Sequence, residues 1–170
     1  MGPRGTPRAP LIGGGAGPPA AGPLRAGSPA TGALNHEVCT AGGGEVERAV
    51  AAAAQAAADP RWRGMTPPAR AAILHRIGDL MLANADTFAR LQMLENGKVW
   101  AECVAQVKSA AATFRYYAGV CETLGSELTP ARGNYLSMTV HEPYGVVAAI
   151  TPWNSPMTME AQKVAPALAA

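Results

Sequence analysis

Asn154 stands between Pro152 and Pro156, just after the aliphatic run Val146 to Ile150 and just before a stretch of helical character. Prolines on either side restrict the backbone. A side-chain amide held that way can donate to an oxygen that gains negative charge during a reaction. The following helix would add the unpaired N–H groups of its first turn, which favour an anion or a polarised oxygen. Lys163 lies nine residues further on, about two and a half turns from Asn154 along a straight helix. A loop at the carboxyl end of a parallel strand is also where α/β folds place ligands. Residue types alone leave ordinary turn chemistry open, and it is the commoner explanation of such a segment.

Other chemistry has no comparable signal. The chain contains no GxGxxG, no Walker A loop, no HExxH and no GxSxG. His36, His75 and His141 have no spacing that suggests a shared metal, and each reads as a surface or cap residue. Cys39, Cys103 and Cys121 are widely spaced and form no CxxC pair, which argues against a disulfide framework or a zinc site. A reducing, cytoplasmic setting is the simpler reading.

The elements around the loop follow from periodicity. Residues 1–30 are dominated by Gly and Pro with few large apolar side chains, so disorder is expected there. Glu45 to Ala58 reads as an alanine-rich helix with acids at its start, stopped by Asp59 and Pro60. Pro67 and Pro68 open a second helix with an apolar face of Ile73, Leu74, Ile77, Leu80 and Met81. After a break at Asn84 to Asp86, a third helix ends at Asn96-Gly97. A fourth carries Val104, Val107, Ala111, Phe114, Ala118 and Cys121 at helical spacing and stops at Gly125, so Cys103 and Cys121 read as packing residues. Leu136, Met138 and Val140 then alternate with Ser137, Thr139 and His141, which predicts a half-buried strand. Val146 to Ile150 is apolar on both faces, as in a parallel strand covered on both sides. In the last helix Ser155 is the expected N-cap, Pro156 the first residue, and Pro166 a kink or restart. The strand has no parallel neighbour in this sequence, so the α/β domain reads as incomplete and its strand edges as an aggregation hazard.

Composition sets outer limits. The 170 residues are 48% hydrophobic and 15% charged, with a net charge of +2. This is globular composition without the basic excess of a nucleic-acid binder. No apolar run reaches the roughly 18 residues that span a bilayer. Arg4, Arg8 and Arg25 precede the first acid, Glu37, but the surrounding glycines and prolines would spoil the amphipathic helix of a transit peptide.

The segment GVVAAITPWNSPMTMEAQKVAPALAA resembles the NAD(P)-dependent aldehyde dehydrogenase superfamily, in which a strand leads into a T-P-W-N loop and a K-x-A-P-A-L-A helix. SPATG at 28–32, RWRGMTPPARAAILHRIGDLM, ENGK at 95–98 and FRYYAG at 114–119 follow in family order, so the resemblance covers about residues 28–170. It implies a helix-rich N-terminal part of an α/β cofactor domain, with only the first Rossmann-type strand–loop–helix unit. The implied division is a Gly/Pro-rich 1–30, a helical part at 31–130, an oligomerisation-arm strand at 131–144, and the strand–loop–helix at 145–170.

By position, the resemblance makes Ile150, Thr151, Pro152 and Trp153 a lining for the nicotinamide of NAD or NADP. It makes Asn154 an oxyanion-hole donor and Lys163 a candidate proton or charge relay. The implied partners are a small aldehyde and a homo-oligomer formed through the 134–142 strand, with no nucleic acid and no membrane. Two departures stand out. The family's cysteine nucleophile, its glutamate base and its K-P-S/A-E motif lie downstream of residue 170, so the chain alone is expected to be inactive. Ser155 stands where many relatives carry Phe or another large residue. Two further readings are a non-enzymatic interaction fragment pairing through 134–142, and a truncated gene product.

Overall fold

The computed structural model describes residues 8–17 and 22–170. In chain order these form β1 (Leu11–Ile12), β2 (Gly15–Ala16), β3 (Pro23–Gly27), β4 (Leu34–Cys39), α1 (Gly43–Ala58), α2 (Pro60–Arg63), α3 (Pro67–Ala83), α4 (Ala85–Asn96), α5 (Trp100–Thr123) and α6 (Pro156–Ala169). Helices carry the core, and the strands form two small antiparallel hairpins, β1–β2 and β3–β4.

The N-terminal segment corrects one expectation. Disorder was expected over residues 1–30, yet three strands lie within it; residues 1–7 and 18–21 fall outside the described residues. The glycines there serve as turn chemistry. Gly13 and Gly14 both have positive φ, 60° and 82°, and link β1 to β2 as a two-residue turn suited to the twist of a hairpin. Ser28 to Gly32 forms the turn between β3 and β4, closed by the Ser28 N–H to the Ala33 carbonyl at 2.8 Å. The β3–β4 hairpin therefore spans residue 30, and the helical part starts at Gly43 rather than 31.

The helices follow their local signals closely. Asp59 ends α1 and caps α2, accepting a hydrogen bond from the Arg61 N–H at 2.8 Å. The short α2 lies where the sequence suggested only a stop. Glu45 accepts from the Gly42 N–H at 2.8 Å, so one orphan donor at the start of α1 is satisfied. Gly97 ends α4 in the left-handed region with φ 74°. The last helix runs on from Pro156 to Ala169 with Pro166 inside it.

The main core joins α3, α5 and α6 through Ala71, Leu74, Ala110, Phe114, Ala118, Cys121, Ala161 and Ala165. A second cluster of Ala89, Cys103 and Val107 joins α4 to α5. Both cysteines of α5 are therefore packing residues. Most of these side chains are small, which lets the helices approach closely. Gly78 shows how closely: a Cβ there would sit 3.0 Å from the Ala111 carbonyl oxygen on α5. The α3 face differs from expectation for the same reason. Ala71, Leu74 and Gly78 are its buried positions, while Ile73 and Leu80 are exposed.

Two expected strands are not formed among the described residues. Residues 136–141 are exposed and make one isolated bridge, Leu128 to Met138, rather than a half-buried strand. Val146 to Ile150 runs without ladder partners, and Val147 and Ile150 are 56% and 89% exposed instead of covered on both faces. A strand exists through its neighbours' hydrogen bonds: 136–141 has only the Thr129 N–H to the Ser137 carbonyl at 3.1 Å and the Thr139 N–H to the Glu127 carbonyl at 2.9 Å, and no strand among the described residues flanks 146–150.

Candidate active-site loop

The run Ile150 to Ser155 crosses from the open aliphatic segment to the first turn of α6. Pro156 begins that helix, where its missing N–H leaves no bond unmade. Ser155 takes the N-cap position, but its hydroxyl makes no capping bond. It accepts instead from Gln106 Nε2 of α5 at 3.4 Å.

The loop is held from below by α4 and α5. Asn96 Nδ2 donates to the Trp153 carbonyl at 2.7 Å. Gln92, buried to 5% exposure, accepts from the Met157 N–H at 3.4 Å through Oε1. Its Nε2 donates to Gln106 Oε1 at 2.8 Å, and Gln106 Nε2 donates in turn to Glu102 Oε1 at 3.1 Å. Lys98 pairs with the same carboxylate. This chain of amides satisfies a buried polar side chain and ties three helices to the loop, as burial of such a group requires.

The β3–β4 hairpin braces the end of α4 from the other side. Asn35 Nδ2 donates to the Leu94 carbonyl at 2.8 Å, and His36 Nδ1 lies 3.5 Å from Glu95 Oε1. Pro29 packs on Gly97, where a Cβ would meet its Cγ at 3.2 Å.

Of the six residues singled out from sequence, Ile150, Thr151, Pro152, Trp153 and Asn154 form one contiguous, largely exposed ledge. Trp153 is 83% exposed. The Asn154 side-chain amide is exposed and has no hydrogen-bond partner among the described residues. Lys163 is set apart. It lies on α6 at the rim of a groove of about 640 Å³, beside Val146, Val147, Ala149 and Val164. No described contact brings its ammonium to Asn154, nor does it form an ion pair among the described residues. No group of three or more metal-ligating side chains occurs among the described residues.

Sequence reasoning missed Gln92 and Gln106, and used Asn96 only as a helix stop. A signal was present: Phe88, Gln92 and Asn96 repeat at four-residue spacing, which puts two amides on the apolar face of α4.

The sequence model of the aldehyde dehydrogenase family matches residues 19–170. The chain belongs to this family. It is 39% identical over 144 residues to a (Z)-2-((N-methylformamido)methylene)-5-hydroxybutyrolactone dehydrogenase of Acinetobacter baylyi, covering 84% of this chain and 30% of that protein. It is 38% identical over 142 residues to the mitochondrial aldehyde dehydrogenase family 2 member B4 of Arabidopsis thaliana, covering 83% of this chain and 26% of the relative. Among solved structures, it is similar to a betaine aldehyde dehydrogenase point mutant from Staphylococcus aureus in complex with NAD+. There the TM-score is 0.90 at 30% identity, over 95% of this chain and 33% of that one. An aldehyde dehydrogenase of Brucella melitensis gives a TM-score of 0.89 at 33% identity, over 94% of this chain and 33% of that one. The chain thus has the helix-rich opening of the aldehyde dehydrogenase fold and spans about a third or less of these relatives' length. No helix among its described residues is long and apolar enough to cross a membrane.

Proposed function

We propose that the chain supplies the oxyanion-donor loop and one wall of the nicotinamide site of an enzyme that oxidises an aldehyde to a carboxylate with NAD(P)+. The observation that carries this reading is Asn154. Its amide is free of hydrogen-bond partners among the described residues, while the backbone on both sides of it is tied to α4. A donor held this way needs little reorganisation when a carbonyl oxygen becomes an oxyanion, which is the condition for electrostatic stabilisation of a tetrahedral intermediate.

The ledge suits a nicotinamide ring. Ile150 and Trp153 offer apolar surface, and the backbone of 150–153 is unpaired by any strand. The cofactor supplies the hydride acceptor. The chain's own residues orient the carbonyl oxygen, through Asn154, and bound the ring, through Ile150, Thr151, Pro152 and Trp153. Lys163 serves as the relay candidate, its exposed ammonium uncompensated by a described carboxylate and facing the groove.

None of the three thiols fits the nucleophile. Cys103 and Cys121 are buried between helices and Cys39 lies on β4. None of the three therefore serves as the nucleophile, and the 170-residue chain alone is inactive. Three unpaired thiols suit a reducing compartment such as the cytoplasm. The exposed run of Tyr135, Leu136, Met138 and Val140 fits the oligomerisation arm, to be covered by a partner copy.

The test is a chimera in which this chain replaces the matching N-terminal part of the related putative aldehyde dehydrogenase DhaS of Bacillus subtilis, to which it is 37% identical. NAD(P)H formation from a panel of aldehydes is expected from the chimera and absent from the chain alone. Asn154→Ala in the chimera should lower kcat about a hundredfold to a thousandfold, the usual loss for one oxyanion donor. A soluble, folded chimera whose kcat is untouched by that change sinks the assignment of Asn154. Sedimentation of the same chimera as a monomer would remove the oligomer reading.

A further inference from the structure

Gln92 and Asn96 lie four residues apart on α4, one turn of the helix, so their side chains project from one face. Both reach the loop that carries Asn154, on opposite sides of it. Asn96 holds the Trp153 carbonyl at 2.7 Å, one residue before Asn154. Gln92 holds the Met157 N–H at 3.4 Å, three residues after. The Trp153 carbonyl and the Asn154 N–H belong to one peptide unit, which is planar and rigid. Pinning that oxygen sets the orientation of the plane from which Asn154 departs, and so where its side-chain amide can be.

Asn96 has no role at its own helix end that would explain the amide. The stop is made by Gly97, whose N–H returns to the Met93 carbonyl at 2.9 Å. Asn96 spends both its reach and its donor on a partner in a distant part of the chain. Its base is itself fixed, because Gly97 packs on Pro29 and Leu94 is tied to Asn35.

We propose that Asn96 is a positioning residue for the oxyanion-donor amide, acting through the Trp153 carbonyl, with Gln92 as the second grip on the loop. This rests on the reading of Asn154 given above. In the assembled enzyme, Asn96 would touch neither aldehyde nor cofactor; it would act on turnover by fixing the donor's geometry.

Asn96→Asp keeps the side chain's size and puts an acceptor where the donor was; Asn96→Ala removes the grip altogether. In the 170-residue chain, amide hydrogen exchange followed by mass spectrometry should quicken about fivefold over residues 151–158 in both variants. Exchange in α5 should stay as it was. Unchanged exchange at 151–158 overturns the grip. In the DhaS chimera, both variants should lower kcat by about tenfold to a hundredfold, the scale of a misplaced catalytic group. The thermal midpoint should not move, which a merely structural role would not produce. An unchanged kcat overturns the catalytic half of the proposal. A chimera that is inactive with Asn96 intact tells against the dehydrogenase reading instead, and the exchange result then decides the grip by itself.

Discussion

Gly97 shows how one residue serves two scales of structure. Its φ of 74° ends α4, and its missing side chain leaves room for Pro29 of the hairpin turn. An alanine there would meet both the left-handed penalty and Pro29 Cγ at 3.2 Å. Gly97→Ala is expected to destabilise the chain by about 1–2 kcal/mol, read as a lower urea midpoint with an unchanged slope. An unchanged midpoint would show that the backbone at 97 and Pro29 both adjust without strain. The stop itself was legible in the sequence, because Asn-Gly after a helical run is a local signal. Its packing against Pro29 was not, since nothing local says which residues meet across the fold. The same divide separates Asn154, found from its own flanking prolines, from Asn96 and Gln92, which matter only through residues about sixty positions away.

At the scale of elements, the junction of α1 and α2 turns on one carboxylate. Hydrogen bonds from the Arg61 guanidinium, and then from its backbone N–H, hold Asp59 down to about 2 from its ordinary 3.8. A carboxylate with a lowered folded pKa contributes stability above the unfolded value and loses it as pH falls toward the folded one. Asp59→Asn should therefore lower the urea midpoint by a constant amount above about pH 5. The gap to the parent chain should shrink between about pH 4 and pH 2 and close below that. A gap that persists at pH 2 would assign the effect to something other than charge. Helices were the most legible elements, because their periodicity and proline or glycine stops are local. The α3 face was misread at Ile73 and Leu80 because periodicity counts large apolar residues, whereas α3 meets α5 through Ala71, Leu74 and Gly78. The two strands failed for the opposite reason: their patterns were present, but a strand needs partners that helix rules do not supply.

Across the whole molecule, structure is unevenly spread. From Leu124 to Pro152 almost every residue is exposed, in contrast to the packed α3–α5–α6 core. Val147 and Ile150 present bare aliphatic side chains beside unpaired backbone, the surface through which chains associate edge to edge. The chain alone should bind a hydrophobic dye and self-associate at micromolar concentration. The double variant Val147→Lys and Ile150→Lys should sediment as a smaller species with the same helix content. Equal association in parent and variant would place the sticky surface elsewhere. The sequence pattern gave warning of this bare segment, since a single parallel strand cannot build a sheet and 146–150 forms no strand among the described residues.

The packing partners of α6 have a further consequence. Among the described residues, α6 docks on α3 and α5 in the main core and on the α4 amides at its first turn. On a ribosome that adds about 5–20 residues per second, the last of those helices is synthesised seconds before Asn154 is added. The helices that seat the loop are made first, and the chemistry-bearing segment follows them.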